Sequence, residues 1–370
     1  MTTTGAVPNG LDAADLRDRV QRIVNEFLGA QEQLLVQVSP DLAPLSDALA
    51  AMLAGGKRLR PAFAYWGWRG ALAQPLTSSS DEMRLDDAAM RTAASLEFLQ
   101  ACALIHDDVM DGSDTRRGQP AAHRRFASLH RDQTWLGSPE NFGVGAAILL
   151  GDLCLSWADQ VLLTSGMPAT GLDEAKAVYD EMRTELMAGQ YLDLLEQARG
   201  GGSVERALRV VQYKSAKYTI ERPLQMGAAL ACASAEVMDA YSAYGLPLGE
   251  AFQLRDDVLG VFGDPQQTGK PAGDDLREGK RTMLVALAAE RANPTEASIL
   301  RTHLGDPALG PQALAQLRAV IEDTGALADT ETLIDTRLQQ ALDAADSPCI
   351  QPDARQVLKE LAFAATRRTV

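Results

Sequence analysis

Two acidic clusters in distant parts of the chain have the residue types and spacing of metal ligands. In the first, which ends the segment SLEFLQACALIHDDVMD, Asp107 and Asp111 lie four residues apart, with Asp108 between them. Residues at this spacing share one face of a helix, so both carboxylates can reach the same metal ions. A solvated acidic helix end is the alternative, but acids at a helix C-terminus oppose the macrodipole. Ligation by oxygen atoms alone favours Mg²⁺ or Mn²⁺ over zinc.

The second cluster, QLRDDVLG, contains Asp256 and Asp257 and again lies at the end of a predicted helix. A glycine-rich loop that carries Lys270 and Lys280 follows it. Two aspartate pairs that end two helices are much harder to explain as surface groups than a single pair. If the two helix ends face each other, they would hold several cations around one diphosphate.

Basic residues near these clusters suit a polyphosphate ligand. Arg116 and Arg117 follow the first cluster, and a planar guanidinium matches phosphate oxygens. Surface salt bridges to the aspartates are the alternative for this pair. In GGKRLRP, Lys57 and Arg60 lie at the start of a predicted helix, where glycines allow close backbone approach and the helix N-terminus attracts anions. A plain basic turn is the alternative there.

Lys214, in the segment YKSAK, lies in the middle of a predicted helix in mostly apolar company. One interpretation is a surface lysine whose aliphatic stem covers apolar neighbours while its ammonium group stays in water. The other is a further cation for a diphosphate, and this interpretation depends on the acidic clusters.

The elements that position these residues are helices. Alanine and leucine dominate, β-branched runs are rare and apolar residues recur with helical periodicity. The predicted helices cover residues 11–38, 41–54, 60–71, 84–111, 143–166, 172–198, 204–231, 234–260, 281–303, 311–326, 328–344 and 351–368. The predicted loops are 72–82, 112–142, 200–202 and 261–280, and none has the composition of an interdomain linker. We therefore expect a single all-α domain over residues 1–370.

Composition limits the ligands and the compartment. The 50 acidic against 35 basic residues give a net charge of −15, which disfavours nucleic-acid binding and requires local cations for any diphosphate. The four cysteines are far apart and lack CxxC spacing, so we expect neither a disulfide framework nor a zinc site, and a reducing cytoplasm. No signal sequence and no apolar run of about 18 residues is evident, so we expect no membrane span.

Taken in this order, the motifs resemble those of the all-trans polyprenyl (isoprenyl) diphosphate synthases, most of all the geranylgeranyl diphosphate synthases. The resemblance runs from about Gly55 to Thr282. It implies the isoprenoid synthase fold, in which packed helices surround a deep central cavity, and a homodimer. It also implies a Mg²⁺-dependent trans-prenyltransferase that condenses isopentenyl diphosphate with allylic diphosphates.

The resemblance further implies roles for individual residues. The implied ligands of three Mg²⁺ ions, with Mn²⁺ as a substitute, are Asp107, Asp108, Asp111 and Asp256. The residues implied to bind isopentenyl diphosphate are Lys57, Arg60, Gln100 and Arg117. Those implied to bind the allylic diphosphate or to lie near the reacting carbons are Arg116, Lys214, Ser215, Gln253, Lys270 and Lys280. The supporting residues are Gln190, Asp193 and Asp257.

The chain departs from the family pattern at three positions. Gly260 stands where the second acidic motif usually has its third aspartate, and Asp264 is a candidate substitute. Gln100 stands where histidine is common, and Ser215 where threonine is common. The last two replacements keep the ability to form hydrogen bonds.

Product length is predicted from the helix that ends at Asp107. In related short-chain synthases, aromatic residues four or five positions before this aspartate close the cavity, whereas this chain has Ala103 and Cys102. The first large apolar residues farther down are Leu99 and Leu96, which predicts a C20 product. The alternative is that a neighbouring helix supplies the floor of the cavity.

Other functional classes fit the sequence less well. A class I terpene cyclase needs a second metal motif of Asn, Ser and Glu, and a di-iron bundle needs Glu-x-x-His pairs, neither of which is evident. Farnesyl and longer-chain synthases remain as alternatives. So does a non-catalytic regulatory subunit of a prenyltransferase, although the intact acidic and basic motifs argue against it.

Overall fold

Helices account for nearly all of the described chain, as the periodicity predicts. The structure is a computed structural model that describes residues 13–74, 80–200, 203–264 and 273–367. The helices up to the second acidic cluster are α1 (Ala13–Val38), α2 (Ala43–Leu53), α3 (Leu59–Ala71), α4 (Ser80–Met110), α5 (Ala122–Asp132), α6 (Pro139–Leu163), α7 (Ala169–Arg199), α8 (Val204–Val210), α9 (Arg222–Leu230) and α10 (Ala235–Phe262). Those after it are α11 (Asp274–Arg277), α12 (Met283–Arg291), α13 (Pro294–His303), α14 (Pro311–Asp323), α15 (Ala326–Ala344) and α16 (Pro352–Thr366). A 3-10 turn, Pro40–Leu42, precedes α2.

The segment 112–142, predicted as a loop, contains regular structure. Two short antiparallel strands, β1 (Thr115–Arg116) and β2 (Gln119–Pro120), form a hairpin, and α5 follows it. The residues that α5 buries recur three and four positions apart, which is the spacing of one helix face: Ala122, His123, Phe126, Ala127 and His130. Near its end, the rings of His130, Trp135 and Phe142 lie 5.3–5.9 Å apart. Residues 127–142, which had no predicted role, therefore comprise the end of α5, a short turn and the start of α6, joined by these ring contacts.

Two predicted helices are divided. The predicted helix 281–303 is interrupted at Asn293, whose side chain caps α13 in a reciprocal capping box with Glu296, and Pro294 occupies the first turn. The predicted helix 204–231 contains a wide π-helical segment, Val211–Glu221, between α8 and α9. Because π-helical turns are rare and often occur at functional sites, this segment is a candidate part of such a site.

The apolar core lies around α3, α4, α6, α7 and α9. Helices α3 and α9 approach closely because Gly67 and Gly227 face the partner backbone: a Cβ at Gly227 would lie 2.0 Å from the Ala64 carbonyl oxygen. Of the helices in the described residues, α6 alone is long and apolar enough to cross a bilayer, a property that the sequence patterns did not indicate. Because 44% of its most apolar window is buried, and core helices of soluble proteins pass the same test, its length and composition are weak evidence for a span.

Candidate active site

A cavity of about 890 Å³ opens between the C-terminal ends of α4 and α10. It brings together most of the residues that the sequence analysis singled out. The predicted residues that line it are Lys57, Arg60, Gln100, Ala103, Asp107, Arg116, Arg117, Gln190, Asp193, Lys214, Ser215, Gln253, Asp256, Asp257 and Lys280. Asp108 and Asp111 lie behind this lining and pair with residues in it. Lys270 lies outside the described residues.

Asp107 is the centre of the acidic end of the cavity. Lys214 Nζ and Gln190 Nε2 each lie 3.1 Å from its Oδ1, and Arg116 Nη2 lies 3.3 Å from its Oδ2. Burial alone would raise the pKa of Asp107, but Lys214, Lys280 and Arg116 together hold this pKa well below its usual value. The carboxylate is therefore charged and ready to bind a cation at neutral pH.

Lys214 is held at the cavity by the packing of the π-helical segment against α7. Gly189 permits the contact, because a Cβ there would lie 2.4 Å from the Lys214 backbone nitrogen. The Lys214 ammonium donates to Asp193 Oδ2 at 2.6 Å as well as to Asp107. Burial lowers the pKa of Lys214, but Asp107 and Asp193 more than offset this effect and the pKa is raised. Because its ammonium is paired with two carboxylates in the cavity, Lys214 is not a snorkelling surface residue.

The aspartates of the first cluster orient Arg116. The guanidinium donates from Nε to Asp108 Oδ1 at 2.9 Å and also contacts Asp107. The Asp108 side chain is 1% exposed and that of Arg116 is 15% exposed. The salt bridge that the sequence analysis weighed for Arg116 therefore exists, but it is buried rather than on the surface.

Lys280 connects the first cluster to the segment after α10. Its Nζ lies 3.2 Å from Asp111 Oδ2 and 2.9 Å from Glu278 Oε2. Burial raises the pKa of Asp111 against the opposing effect of Lys280, whereas Asp275, Asp111 and Glu278 raise the pKa of the buried Lys280. Ser113 fixes Glu278 by a hydrogen bond of 2.7 Å.

At the second acidic cluster, another part of the chain occupies the place of the missing carboxylate. A Cβ at Gly260 would lie 1.9 Å from Asp275 Oδ2, so the Asp275 carboxylate fills the space beside this glycine. Asp275 lines the cavity, whereas Asp264, the predicted substitute, does not. Burial raises the pKa of the neighbouring Asp257 well above its usual value, and Gln253 donates to Asp257 Oδ1 at 2.7 Å. The aspartate pair Asp274–Asp275 in AGDDLREGK, which follows the second cluster, was the available signal for Asp275.

The cavity wall at the start of α3 is basic. Arg60 donates to Thr219 Oγ1 at 2.8 Å and lies over the Tyr218 ring, 4.3 Å from its centroid. Burial lowers the pKa of Arg117 against the opposing effect of Glu97, and the neighbouring Arg58, Arg116 and Arg60 lower it further. Such a concentration of cations favours an anionic ligand. The sequence patterns did not indicate Thr219 or Tyr218, whereas Arg58 belongs to the basic motif GGKRLRP.

The floor of the cavity differs from the prediction. Leu96, Leu99 and Cys102 are 0–5% exposed and are not among the residues that line it. Ala103 does line the cavity, and so do Leu186 of α7 and Tyr218 of the π-helical segment. The Tyr218 hydroxyl donates to Gln100 Oε1 at 2.8 Å. Side chains of neighbouring elements therefore line the cavity beside Ala103, which favours the alternative to a floor at Leu99 and Leu96.

The donor set fits magnesium bound together with a phosphate ligand. The Asp111 side chain is 1% exposed, and no hydrogen-bond partner of its Oδ1 occurs among the described residues. Within the same residues, no three acidic, histidine or cysteine side chains converge as a complete metal cage. Mg²⁺ typically takes one or two carboxylates and completes its octahedron with waters and substrate phosphates. Asp107, Asp111 and Asp256 would hold it in that manner.

An all-helical fold with acidic helix ends that face a basic loop across a deep cavity defines the isoprenoid synthase class. The family model for polyprenyl synthetases matches residues 43–322, and the chain belongs to this family. A geranylgeranyl pyrophosphate synthase from Corynebacterium glutamicum, solved with isoprenyl diphosphate and magnesium, is 41% identical and superposes with a TM-score of 0.92 over 97% of this chain and 100% of that one.

Curated relatives make products of more than one length. A geranylfarnesyl diphosphate synthase from Aeropyrum pernix is 32% identical over 335 residues, which cover 88% of this chain and 94% of the relative. A geranylgeranyl diphosphate synthase from Saccharolobus solfataricus is 31% identical over 271 residues, which cover 72% and 73%. The predicted fold class, family and prenyltransferase activity are thus confirmed, whereas the product length is not fixed by these similarities.

Proposed function

We propose that this trans-prenyltransferase condenses isopentenyl diphosphate with allylic diphosphates and releases geranylgeranyl diphosphate as its main product. The observation that carries the proposal is the division of one cavity into two anion-binding ends. Asp107, Lys214 and Arg116 form an end suited to metal ions and a leaving diphosphate. Lys57 and Arg117 belong to a separate basic wall suited to a second diphosphate.

The reaction follows from this division. When bound, Mg²⁺ neutralises the charge that develops on the departing diphosphate. Lys214 donates hydrogen bonds to the same diphosphate. The bond between the allylic carbon and the diphosphate oxygen breaks, and its electron pair leaves with the diphosphate. The alkene of isopentenyl diphosphate, held by the basic wall, attacks the allylic cation and forms the new C–C bond. The released diphosphate takes the proton that is then lost, since none of the four histidines lines the cavity.

We propose three Mg²⁺ ions per site, with Mn²⁺ as a substitute. The two acidic clusters and Asp275 supply carboxylates on both sides of the leaving group. The magnesium bound in the Corynebacterium glutamicum complex supports the identity of the metal. Titration of the chelated protein with Mg²⁺ and a non-reactive allylic diphosphate analogue tests the number, and a stoichiometry below three would overturn it.

The C20 product follows from the small side chain at Ala103, which leaves room beneath Asp107. Leu186 and Tyr218 then close the cavity. The geranylgeranyl diphosphate synthases among the similar proteins support this length, and the geranylfarnesyl relative marks C25 as the main competitor.

The test is turnover of labelled isopentenyl diphosphate with dimethylallyl, geranyl or farnesyl diphosphate, followed by chromatography of the products. We expect C20 to dominate and EDTA to abolish turnover. A main product of C15, C25 or longer would overturn the length. Absence of turnover with every starter would instead favour a non-catalytic subunit.

We also propose a homodimer that pairs through α6 and α7. Arg183 of α7 donates to Asp159 Oδ2 of α6 at 2.7 Å, which links the two helices. The two helices expose large apolar side chains, among them Leu149 (63%), Met187 (53%) and Tyr191 (65%). Exposed apolar side chains in such number support an interaction surface on these helices. Light scattering should give twice the 39.7 kDa chain mass, and Leu149→Glu should reduce it. A monomeric wild type would overturn the proposal.

Finally, we propose a cytoplasmic location. All four cysteines carry free thiols, which suits a reducing compartment. Recovery of the native protein in the membrane or secreted fraction of its cells would overturn this assignment.

A further inference from the structure

The loop that carries Lys57 is held in an unusual backbone conformation. Gly55 and Gly56 have φ values of 64° and 107°, and Arg58, which is not a glycine, has a φ of 52°. A side chain with Cβ rarely adopts this left-handed region, so surrounding contacts must hold it there. Because Arg58 follows Lys57 directly and comes two residues before Arg60, its backbone conformation sets the course of the turn that carries both of these cavity residues.

The contacts that hold Arg58 are buried and come from three directions. Its side chain is 2% exposed. The guanidinium donates to Glu97 of α4 through Nη1 and to the Leu53 carbonyl through Nη2 at 2.5 Å. Its Nη2 also donates to Gln21 Oε1 of α1 at 2.5 Å. The same oxygen accepts the Gly55 backbone N–H at 2.9 Å.

One amide oxygen of α1 therefore fixes both ends of the turn. The other side of this amide is also fixed, because Gln21 Nε2 donates to Asn25 Oδ1 at 2.8 Å. Gln21 does not line the cavity and lies before residues 43–322, which the family model matches. A role for this residue is thus not contained in the motifs that define the family.

We infer that Gln21 is a positioning residue for isopentenyl diphosphate, acting through Gly55 and Arg58 on the loop that presents Lys57 and Arg60. The inference rests on the proposed assignment of this wall to isopentenyl diphosphate. The allylic end, built on Asp107 and Lys214, receives no contact from Gln21 among the described residues.

The test is steady-state kinetics of Gln21→Leu, with the two substrates varied separately. Leucine has a similar volume but no acceptor, so Arg58 and Gly55 each lose a hydrogen bond. We expect the KM for isopentenyl diphosphate to rise about ten-fold, the loss of one hydrogen bond to a charged group, with kcat and the allylic KM within about two-fold of wild type.

Two further variants separate positioning from general stability. Gln21→Glu keeps an acceptor for both donors and should restore most of the low KM. Asn25→Ala removes only the contact on the far side of the amide and should leave both KM values unchanged. Melting temperatures of all three variants identify any loss of folded protein.

The outcomes are distinct. An unchanged KM in Gln21→Leu, an equal rise for both substrates, or no recovery in Gln21→Glu would overturn the inference. If wild type itself fails to use isopentenyl diphosphate, the proposed function falls instead. If the wild type turns over and the Gln21→Leu variant has normal kinetics, only the positioning role is rejected.

Discussion

The rim and the floor of the cavity are built in opposite ways. The rim consists of charged residues in short segments, and the charges of the first cluster meet opposite charges: Asp107 with Lys214, Asp108 with Arg116, and Asp111 with Lys280. The floor consists of single side chains from separate helices, Ala103 of α4, Leu186 of α7 and Tyr218 of the π-helical segment.

Because of this difference, we expect the rim to determine the rate of the reaction and the floor to determine the length of the product. A buried ion pair is strongly affected by removal of one partner, because the other charge is left uncompensated. An apolar floor changes only the available volume, so substitutions there alter what fits and leave the charges at the rim in place. We therefore expect rim variants to lose turnover and floor variants to keep turnover with altered products.

The largest effect is expected at the centre of the rim. Asp107→Ala removes the carboxylate that meets Lys214, Gln190 and Arg116, and kcat should fall by about a thousand-fold or more, as for loss of a principal electrostatic group. Asp256→Ala should behave similarly. Rate assays with saturating Mg²⁺ measure the fall.

The matched control is Asp173→Ala, an exposed aspartate of α7 that lies outside the cavity. It should retain wild-type kcat, and all three variants should melt as cooperative folded proteins. Near-normal turnover in Asp107→Ala would show that the rim is not the reaction centre and would remove the basis of the comparison.

An intermediate effect is expected where the rim recruits a carboxylate from α11. Asp275→Ala should lower kcat about 10- to 100-fold and raise the Mg²⁺ concentration needed for half-maximal rate, the usual cost of losing a group that orients a metal site. In the Asp275→Ala background, Gly260→Asp places a carboxylate from α10 in the vacated space and should recover part of the rate.

Asp264→Ala is the control for this exchange, because Asp264 does not line the cavity. It should leave the Mg²⁺ dependence unchanged. If Asp264→Ala had a strong defect and Asp275→Ala were normal, Asp264 would replace the carboxylate missing at Gly260, as the sequence suggested, and Asp275 would not.

The sequence predicted the rim well because local patterns encode it. Asp107 and Asp111 share a helix face by spacing alone, and the order of the motifs indicated that distant segments meet. Asp275 was missed because its role depends on the tertiary contact between α11 and Gly260. The π-helical geometry around Lys214 was missed for a similar reason, since periodicity distinguishes poorly between α- and π-helical turns.

The floor could not be predicted from one helix. Leu96 and Leu99 have the size and spacing of a stop, but α4 is buried on several sides and these residues face the core. Which side of a buried helix meets a cavity depends on its neighbours, and the sequence of α4 contains no such information. The helix α5 was missed because the glycines and prolines around it outweighed its short amphipathic pattern.

The smallest effect on turnover, and the clearest on product, is expected at Leu186. Gln190 contacts Asp107 at the rim. Leu186 lies one turn before Gln190, as Ala103 lies one turn before Asp107, so the two side chains line the cavity at a similar depth. Leu186→Ala should deepen the cavity and lengthen the product beyond C20, while Ala103→Phe should shorten it to C15. In both variants kcat should stay within about five-fold of wild type, because the charges of the rim are intact.

Cys102→Phe separates the cavity from the core. Cys102 is 5% exposed and lies 3.8 Å from His106 Nδ1 through its Sγ, away from the cavity lining. A phenylalanine there should overpack the core at a cost of about 1–3 kcal/mol, lowering the melting temperature while the product stays C20. If Cys102→Phe shortened the product as Ala103→Phe does, and Leu186→Ala left it unchanged, α4 alone would determine chain length. A single helix would then specify the floor, and the floor would be predictable from local sequence, as the rim is.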